Sequence, residues 1–298
     1  MGLPVTARIL NLRDIKVLHI EPTDVCQAAC PLCAREIDID FDKDLKHHLT
    51  VAQIQSAFDI ETIKNLQKMF MCGNYGDPAA GRYTQEIYRY FRQINPNITL
   101  GMNTNGALQN INWWKELAKL FNQPRDYVVF SIDGLEDTNH IYRVNVDWKR
   151  IMANAQKFIA AGGSAHWDML VYQHNQHQVD ACEQLAKSLG FTWFRAKVSK
   201  RPYINQLTAP IGWKTPDTVR GTIQCIALKE SSIYIDAHGR VSPCCWLGGR
   251  QTNFIKDIDV VKVTWNSPSP DRTCLESCGT VNDKTAFYQQ WQRETQLQ

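Results

Sequence analysis

Between residues 16 and 200, short apolar runs alternate with amphipathic stretches, and no other feature narrows the possible folds so far. Runs over 16–20, 68–72, 98–103, 127–132, 167–172 and 192–198 read as strands. Segments near 51–66, 84–94, 112–121, 149–161 and 178–189 carry apolar residues three and four apart, the period of a helix with one buried face. Turn signals separate them at Asn105-Gly106, Gly162-Gly163 and Leu189-Gly190. Strands joined by helices run parallel. No Gly-x-Gly-x-x-Gly follows the first strand, so the expected fold is α/β, a partial (β/α)6 TIM-like barrel over 16–200 rather than a dinucleotide-binding sheet. Residues 1–15 form an N-terminal extension. Beyond residue 200, Pro202, Pro210 and Pro216 mark a looser connector into a small cysteine-rich domain over 201–298. That domain is predicted to contain a hairpin over 232–236 and 240–242, turning at His238-Gly239, and a closing helix over 283–296.

The chain's 298 residues are ample for a buried core. A net charge of +3, from 33 basic and 30 acidic residues, argues against nucleic acid or a membrane surface as partner. No apolar run approaches the ~18 residues of a membrane span, and the N-terminus lacks a signal-peptide core. Met1-Gly2 followed by Thr6 fits a myristoylation pattern only superficially, because no second anchor lies nearby. Ten cysteines without an export signal point to metal rather than disulfides, and to the cytoplasm.

Eight of the ten cysteines fall in two groups. Cys26, Cys30 and Cys33 directly follow the first strand. Three thiolates so placed can hold three irons of a 4Fe–4S cluster, leaving the fourth open for another ligand, as a catalytic site requires. Cys225, Cys244, Cys245, Cys274 and Cys278 form the second group, which suits a fully ligated 4Fe–4S cluster; zinc is the alternative. Cys72 and Cys182 read as ordinary buried residues. Asp38, Asp40, Asp42 and Asp44 alternate in the 35–48 segment, but Lys43 and Leu49 break the EF-hand pattern, so a solvated loop is expected.

Polar and glycine-rich residues recur after each predicted strand, where a parallel barrel gathers its active site. The cysteine triad follows the first, Gly73-Asn74-Tyr75-Gly76-Asp77-Pro78 the second, and Asn103-Thr104-Asn105-Gly106 the third. Ser131-Ile132-Asp133-Gly134 ends the fourth. Tyr172, His174 and His177 follow the fifth, and Lys197 and Lys200 end the sixth. Tyr172, His174, Lys197, Asp133 and Trp246 are candidates for a substrate pocket.

Cys26-x3-Cys30-x2-Cys33 resembles the signature of the radical SAM superfamily. The 73–78 stretch resembles that family's glycine-rich motif after strand two. Ser131-Ile132-Asp133-Gly134 with Tyr142-Arg143 resembles the branch carrying C-terminal SPASM or Twitch domains. Leu32 and Asp77 depart mildly, from an aromatic and from a glutamate. The resemblance implies that Cys26, Cys30 and Cys33 bind the catalytic cluster. It implies that S-adenosylmethionine chelates the open iron and yields a 5′-deoxyadenosyl radical that takes hydrogen from substrate. It places Gly73, Gly76, Asp77, Pro78, Asn103, Asn105, Ser131, Asp133 and Arg143 at the adenosylmethionine. Arg143 suits a carboxylate because its guanidinium is a fork of donors.

The second cysteine group resembles the shortened Twitch version, with Cys225, Cys244, Cys274 and Cys278 holding one auxiliary 4Fe–4S cluster and Cys245 as understudy to Cys244. The implied activity is an oxidoreductase or a peptide- or protein-modifying enzyme, served by a reductant such as flavodoxin or ferredoxin. The short stretch before the first strand speaks against leader-guided chemistry and leaves a small molecule, or a peptide or protein recognised without a leader-binding domain, as the expected substrate. A non-catalytic iron–sulphur carrier or redox sensor, and a nucleoside- or RNA-modifying enzyme, are the alternatives.

Overall fold

A computed structural model describes residues 9–10, 12–199, 204, 207–211, 223, 225–248, 253–254, 261–262, 271–278 and 296–297. The barrel strands are β2 (Val17–Ile20), β3 (Lys68–Met71), β4 (Thr99–Thr104), β5 (Tyr127–Ser131), β6 (Ala165–Val171) and β7 (Trp193–Val198). Short strands β1 (Ile9–Leu10) and β11 (Val261–Lys262) pair with each other. The six barrel strands pair in parallel in chain order, with Leu18 opposite Met69 and Met102 opposite Val128.

Alternation along these strands separates two interiors. Leu18, Ile20, Met69, Met71, Leu100, Met102, Val128, Phe130, Trp167 and Met169 pack under helices α4 (Thr84–Ile94), α5 (Ile111–Leu120), α7 (Trp148–Ala160) and α8 (Val179–Ser188). Each such buried side chain contributes about 1.5–3 kcal/mol. The other face is polar and aromatic. His19 stacks on Phe70 at 4.2 Å, and Tyr127 stacks on His166 at 5.3 Å. Asp168 holds Arg195 at 2.5 Å and Lys197 at 2.8 Å. Burial pushes the Asp168 carboxyl up, but the two cations overcome it and keep the group at about 2.

The predicted 51–66 helix is two helices, α2 (Val51–Ala57) and α3 (Ile60–Asn65). Asp59 accepts from Thr62 N at 2.6 Å and starts a new helix where the first ends at Phe58. Two further short helices were not anticipated, α1 (Ala34–Ile37) directly after the triad and α6 (Glu136–Tyr142) after β5.

The hairpin is formed by β8 (Ser232–Ile235) and β9 (Arg240–Ser242), following helix α9 (Ile226–Glu230). β8 pairs in parallel with β2, Ile233 opposite Leu18, on the side away from β3. With β10 (Asn253–Phe254) beyond β9, the described strands other than β1 and β11 make one sheet in the order β10-β9-β8-β2-β3-β4-β5-β6-β7. The hairpin is therefore continuous with the barrel sheet, and its turn stands on the same rim as the triad. Lys200 and most of the predicted closing helix lie outside the described residues; Gln296 bridges to Trp193. No helix of the described residues is long and apolar enough to cross a membrane.

Candidate active site

After β2 the chain runs with little regular structure from Glu21 to Cys33, and each triad thiol meets a group from a different segment of the rim. Asn105 Nδ2, beyond β4, lies 3.6 Å from Cys26 Sγ, and Gln27 Nε2 donates to Asn105 Oδ1 at 2.7 Å. Arg143 Nη1, after α6, is 3.9 Å from Cys30 Sγ. The Cys33 thiol reaches the Asn74 carbonyl, beyond β3, at 3.6 Å. Burial, then the Asp77 carboxylate, pushes the Cys26 thiol up to about 12. Burial raises Cys30 while Arg143 pulls it down.

A single zinc ion would draw its thiolate sulphurs to about 3.8 Å from one another. Among the described residues no three cysteine sulphurs lie within 4.8 Å of one another. The wider spacing, with a guanidinium beside it, fits the larger and anionic iron–sulphur cubane.

The 73–78 segment is locked to this loop by two buried carboxylates. Glu21 Oε1 accepts from Tyr75 N at 2.7 Å and Gly76 N at 2.9 Å, and Oε2 accepts from the Tyr234 hydroxyl of β8. Burial pushes the Glu21 carboxyl up to about 7. Asp77 Oδ1 accepts from Ala79 N and Thr104 Oγ1, and Oδ2 from Asn105 N at 2.7 Å. Its carboxylate thus organises two rim segments, while the Asp77 and Pro78 carbonyls accept from Ala80 N, Gly81 N and Thr84 Oγ1. A Cβ on Gly76 would lie 1.9 Å from the Thr23 carbonyl oxygen, so the glycine is required by the close approach of two loops. A Cβ on Gly73 would likewise lie 2.0 Å from the Gly76 carbonyl oxygen. Pro78 opens a 3-10 turn that Asp77 caps.

Arg143 is neither a surface ion pair nor free. Its Nε donates to Asp133 Oδ2 at 2.6 Å, and Asp133 Oδ1, fully buried, accepts from Leu170 N at 2.6 Å. Asn103 Oδ1 is buried without a partner among the described residues. Ser131, like Asn103, falls on the polar face of the sheet near its C-terminal edge.

The pocket candidates divide. Lys197 faces the barrel interior through Asp168. Asp133 is committed to Arg143. Tyr172 is buried between Tyr142 and His174, at ring distances of 5.3 and 5.5 Å. Trp246 is 54% exposed and lines no interior. His177 is exposed in a 3-10 turn before α8. In the 35–48 loop Asp38 and Asp42 accept from the backbone of Asp40 and Asp44, as a solvated loop should.

In the second cysteine group, burial pushes Cys225 to about 11 and Cys244 to about 12, and each is raised further by Cys278. Burial and Cys278 also raise Cys274. Burial, then Cys244, Cys72 and Glu21, raises the Cys245 thiol. Asn74 Nδ2 donates to the Cys245 carbonyl at 2.8 Å, so one residue touches both cysteine groups.

Sequence reasoning missed Glu21 and Gln27, and gave Asn74 no role of its own within the 73–78 motif. Glu21 carried a weak signal, as an acidic residue directly after an apolar strand; Gln27 had none. It also took Cys72 as ordinary, whereas its thiol, pushed by burial to about 12, feels Glu21, Asp77, Lys197 and Cys33.

The model of the Radical SAM superfamily matches residues 20–185. A curated relative, the tungsten-containing aldehyde ferredoxin oxidoreductase cofactor-modifying protein of Pyrococcus furiosus, is 27% identical over 127 residues, 43% of this chain. The match spans 33% of that relative's length. Among solved structures, Streptococcus suis SuiB bound to S-adenosylmethionine is similar with a TM-score of 0.61 at 15% identity, over 85% of this chain and 66% of that one. Native anSMEcpe with bound AdoMet is similar with a TM-score of 0.60 at 15% identity, over 83% of this chain and 80% of that one. At these identities the likeness is one of fold.

Proposed function

The chain belongs to the radical SAM superfamily, and on that premise we propose that it oxidises or otherwise modifies a peptide or protein side chain, using a catalytic and an auxiliary 4Fe–4S cluster. When bound at Cys26, Cys30 and Cys33, the catalytic cluster with S-adenosylmethionine supplies a 5′-deoxyadenosyl radical that takes a hydrogen atom from substrate. The observation that carries the reading is the rim itself. Three thiols on one loop are each met by a polar group from a different rim segment, and one of these is a largely buried guanidinium.

The residues around the triad have separate roles in this proposal. Asp133 fixes Arg143, whose charge steadies the cluster and the methionine carboxylate. The Gly76 carbonyl accepts from the methionine ammonium, in a segment held in place by Glu21 and Asp77. The buried acceptor Asn103 Oδ1 and the nearby Ser131 serve the ribose and carboxylate. Asn105 orients Cys26 as well as lying near the ligand. Lys197 presents a partly exposed cation to the substrate. Cys225, Cys244, Cys274 and Cys278 would hold the auxiliary cluster, which would supply an acceptor for the electron left on substrate.

Similar folds have been solved with SuiB bound to the precursor peptide SuiA and with anSMEcpe bound to AdoMet and the Cp18Cys peptide, which supports a peptide over a small metabolite. A low-potential reductant such as flavodoxin or ferredoxin, in the reducing cytoplasm, completes the proposal; all ten cysteines are free thiols. A bare electron carrier would need neither the Arg143–Asp133 pair nor the Asn103 acceptor beside its cluster.

The test is anaerobic incubation of the reconstituted protein with S-adenosylmethionine and reductant, against a peptide library and a library of small alcohols. The proposal expects 5′-deoxyadenosine to rise with particular peptides, which become lighter by two hydrogens or crosslinked. Stimulation by small alcohols alone would overturn the peptide reading.

A further inference from the structure

Three groups of the kind that bind transition metals converge outside the cysteine sites, from three distant parts of the chain. Asp24 lies between β2 and the triad, His47 ends the 38–47 loop, and His238 is in the β8–β9 turn. Asp24 is almost fully buried, and its Oδ1 accepts from His47 N at 2.8 Å. Its Oδ2 lies 2.7 Å from His47 Nδ1 and 3.4 Å from His238 Nε2. The two imidazoles face one another at 3.9 Å between centroids.

Each segment is held in place independently. Thr23 Oγ1 donates to the His47 carbonyl, Thr23 bridges to His48, and Leu49 N donates to the Pro22 carbonyl. Asp236 Oδ1 accepts from the backbone of His238 and Arg240 and sets the hairpin turn. The three ligand atoms all lie within 4.8 Å of one another, a convergence that no other three His, Cys, Asp or Glu among the described residues achieve. Ligand bonds of about 2.0–2.2 Å to one ion give edges of about 3–3.5 Å between donors; the His238 separation of 3.4 Å is on that scale, and the His47 contact of 2.7 Å is shorter, a direct hydrogen bond that an ion would replace.

We propose that Asp24, His47 and His238 form a binding site for one divalent transition-metal ion of the zinc or ferrous class, which clamps the β8–β9 hairpin to the barrel rim beside the cysteine triad. Two imidazoles and one carboxylate select borderline metals over magnesium or calcium. The two histidines are about one-third exposed, leaving the ion's remaining positions open to water. The site is distinct from both cysteine groups and does not depend on their chemistry.

The test uses anaerobic protein with its cysteine sites filled by iron and sulphide, dialysed against Zn²⁺, with bound zinc and retained iron measured together. One zinc per chain should bind with no loss of iron. His47→Ala and His238→Ala should each weaken that binding by about 100-fold or more, since even indirect support of a metal ligand is worth about 10–100-fold. Co²⁺ in place of Zn²⁺ should give visible ligand-field bands without thiolate charge transfer. Hydrogen exchange across 232–242 should slow on zinc addition in the wild type and not in His238→Ala. No zinc uptake by iron-loaded wild type would overturn the site. So would uptake unaffected by the two substitutions, or uptake that displaces iron with a thiolate spectrum.

Discussion

Glu21 and Arg143 show how much of this rim rests on buried charges. Glu21 is fully buried with a carboxyl raised from 4.5 to about 7, so its folded pKa lies above the unfolded one. The stability it contributes is fully present below about 4.5 and is lost as the pH rises through about 7. Glu21→Gln keeps the shape and removes the titration. Relative to wild type it should gain stability between pH 5 and pH 8, by at most about 1.4 kcal/mol per pH unit. Chemical denaturation of both proteins at the two pH values measures this; parallel pH profiles would contradict the burial account. Arg143→Ala strands a fully buried Asp133 carboxylate, a change that costs about 3–5 kcal/mol. Adding Asp133→Asn to that variant should restore part of the loss, as a thermal melt would reveal. Neither Glu21 nor the Asp133–Arg143 pairing was legible as such in the sequence. Arg143 was singled out by its motif, but its partner follows only from α6 turning it back over the triad.

At the level of elements, the barrel strands and four of the main helices could be read from apolar periodicity, because each has one face against the same core. The break at Phe58 could not, since Val51 to Leu66 keeps its helical spacing across the Asp59 cap. The 73–78 motif was legible as a glycine-rich turn, but the reason for its glycines was not: Gly76 packs against the Thr23 backbone, more than fifty residues earlier in sequence. Gly76→Ala should therefore disturb the whole triad loop. Iron content of the first cluster and the thermal midpoint should fall together, and cofactor affinity should not change in isolation. Normal iron loading in that variant would show that the loops separate easily. Asn74→Ala removes the tie to the Cys245 carbonyl while keeping the backbone that faces Cys33. It should loosen the hairpin and leave iron bound.

Across the whole molecule, the pairing of β8 with β2 is the feature that local pattern could not disclose. Residues 17–20 and 232–235 each look like ordinary strands, and nothing near either one names its partner. That pairing brings the chain after β9 beside the 73–78 segment, where Asn74 Nδ2 donates to the Cys245 carbonyl. If both groups hold 4Fe–4S clusters, reconstituted protein should carry about eight irons; about four irons and one zinc would show a structural second site. A folded Cys274→Ala, Cys278→Ala protein should still cleave S-adenosylmethionine but form no oxidised product, and product at the normal rate would make the second cluster structural only. The central claim is that the Cys26, Cys30 and Cys33 rim generates the radical. Its most direct test is 5′-deoxyadenosine formation, under anaerobic reducing conditions, by the wild type and by the variant with all three cysteines changed to alanine. The account predicts production by the wild type and none by the variant, with iron at the second group retained. Continued production by the triple variant would contradict it.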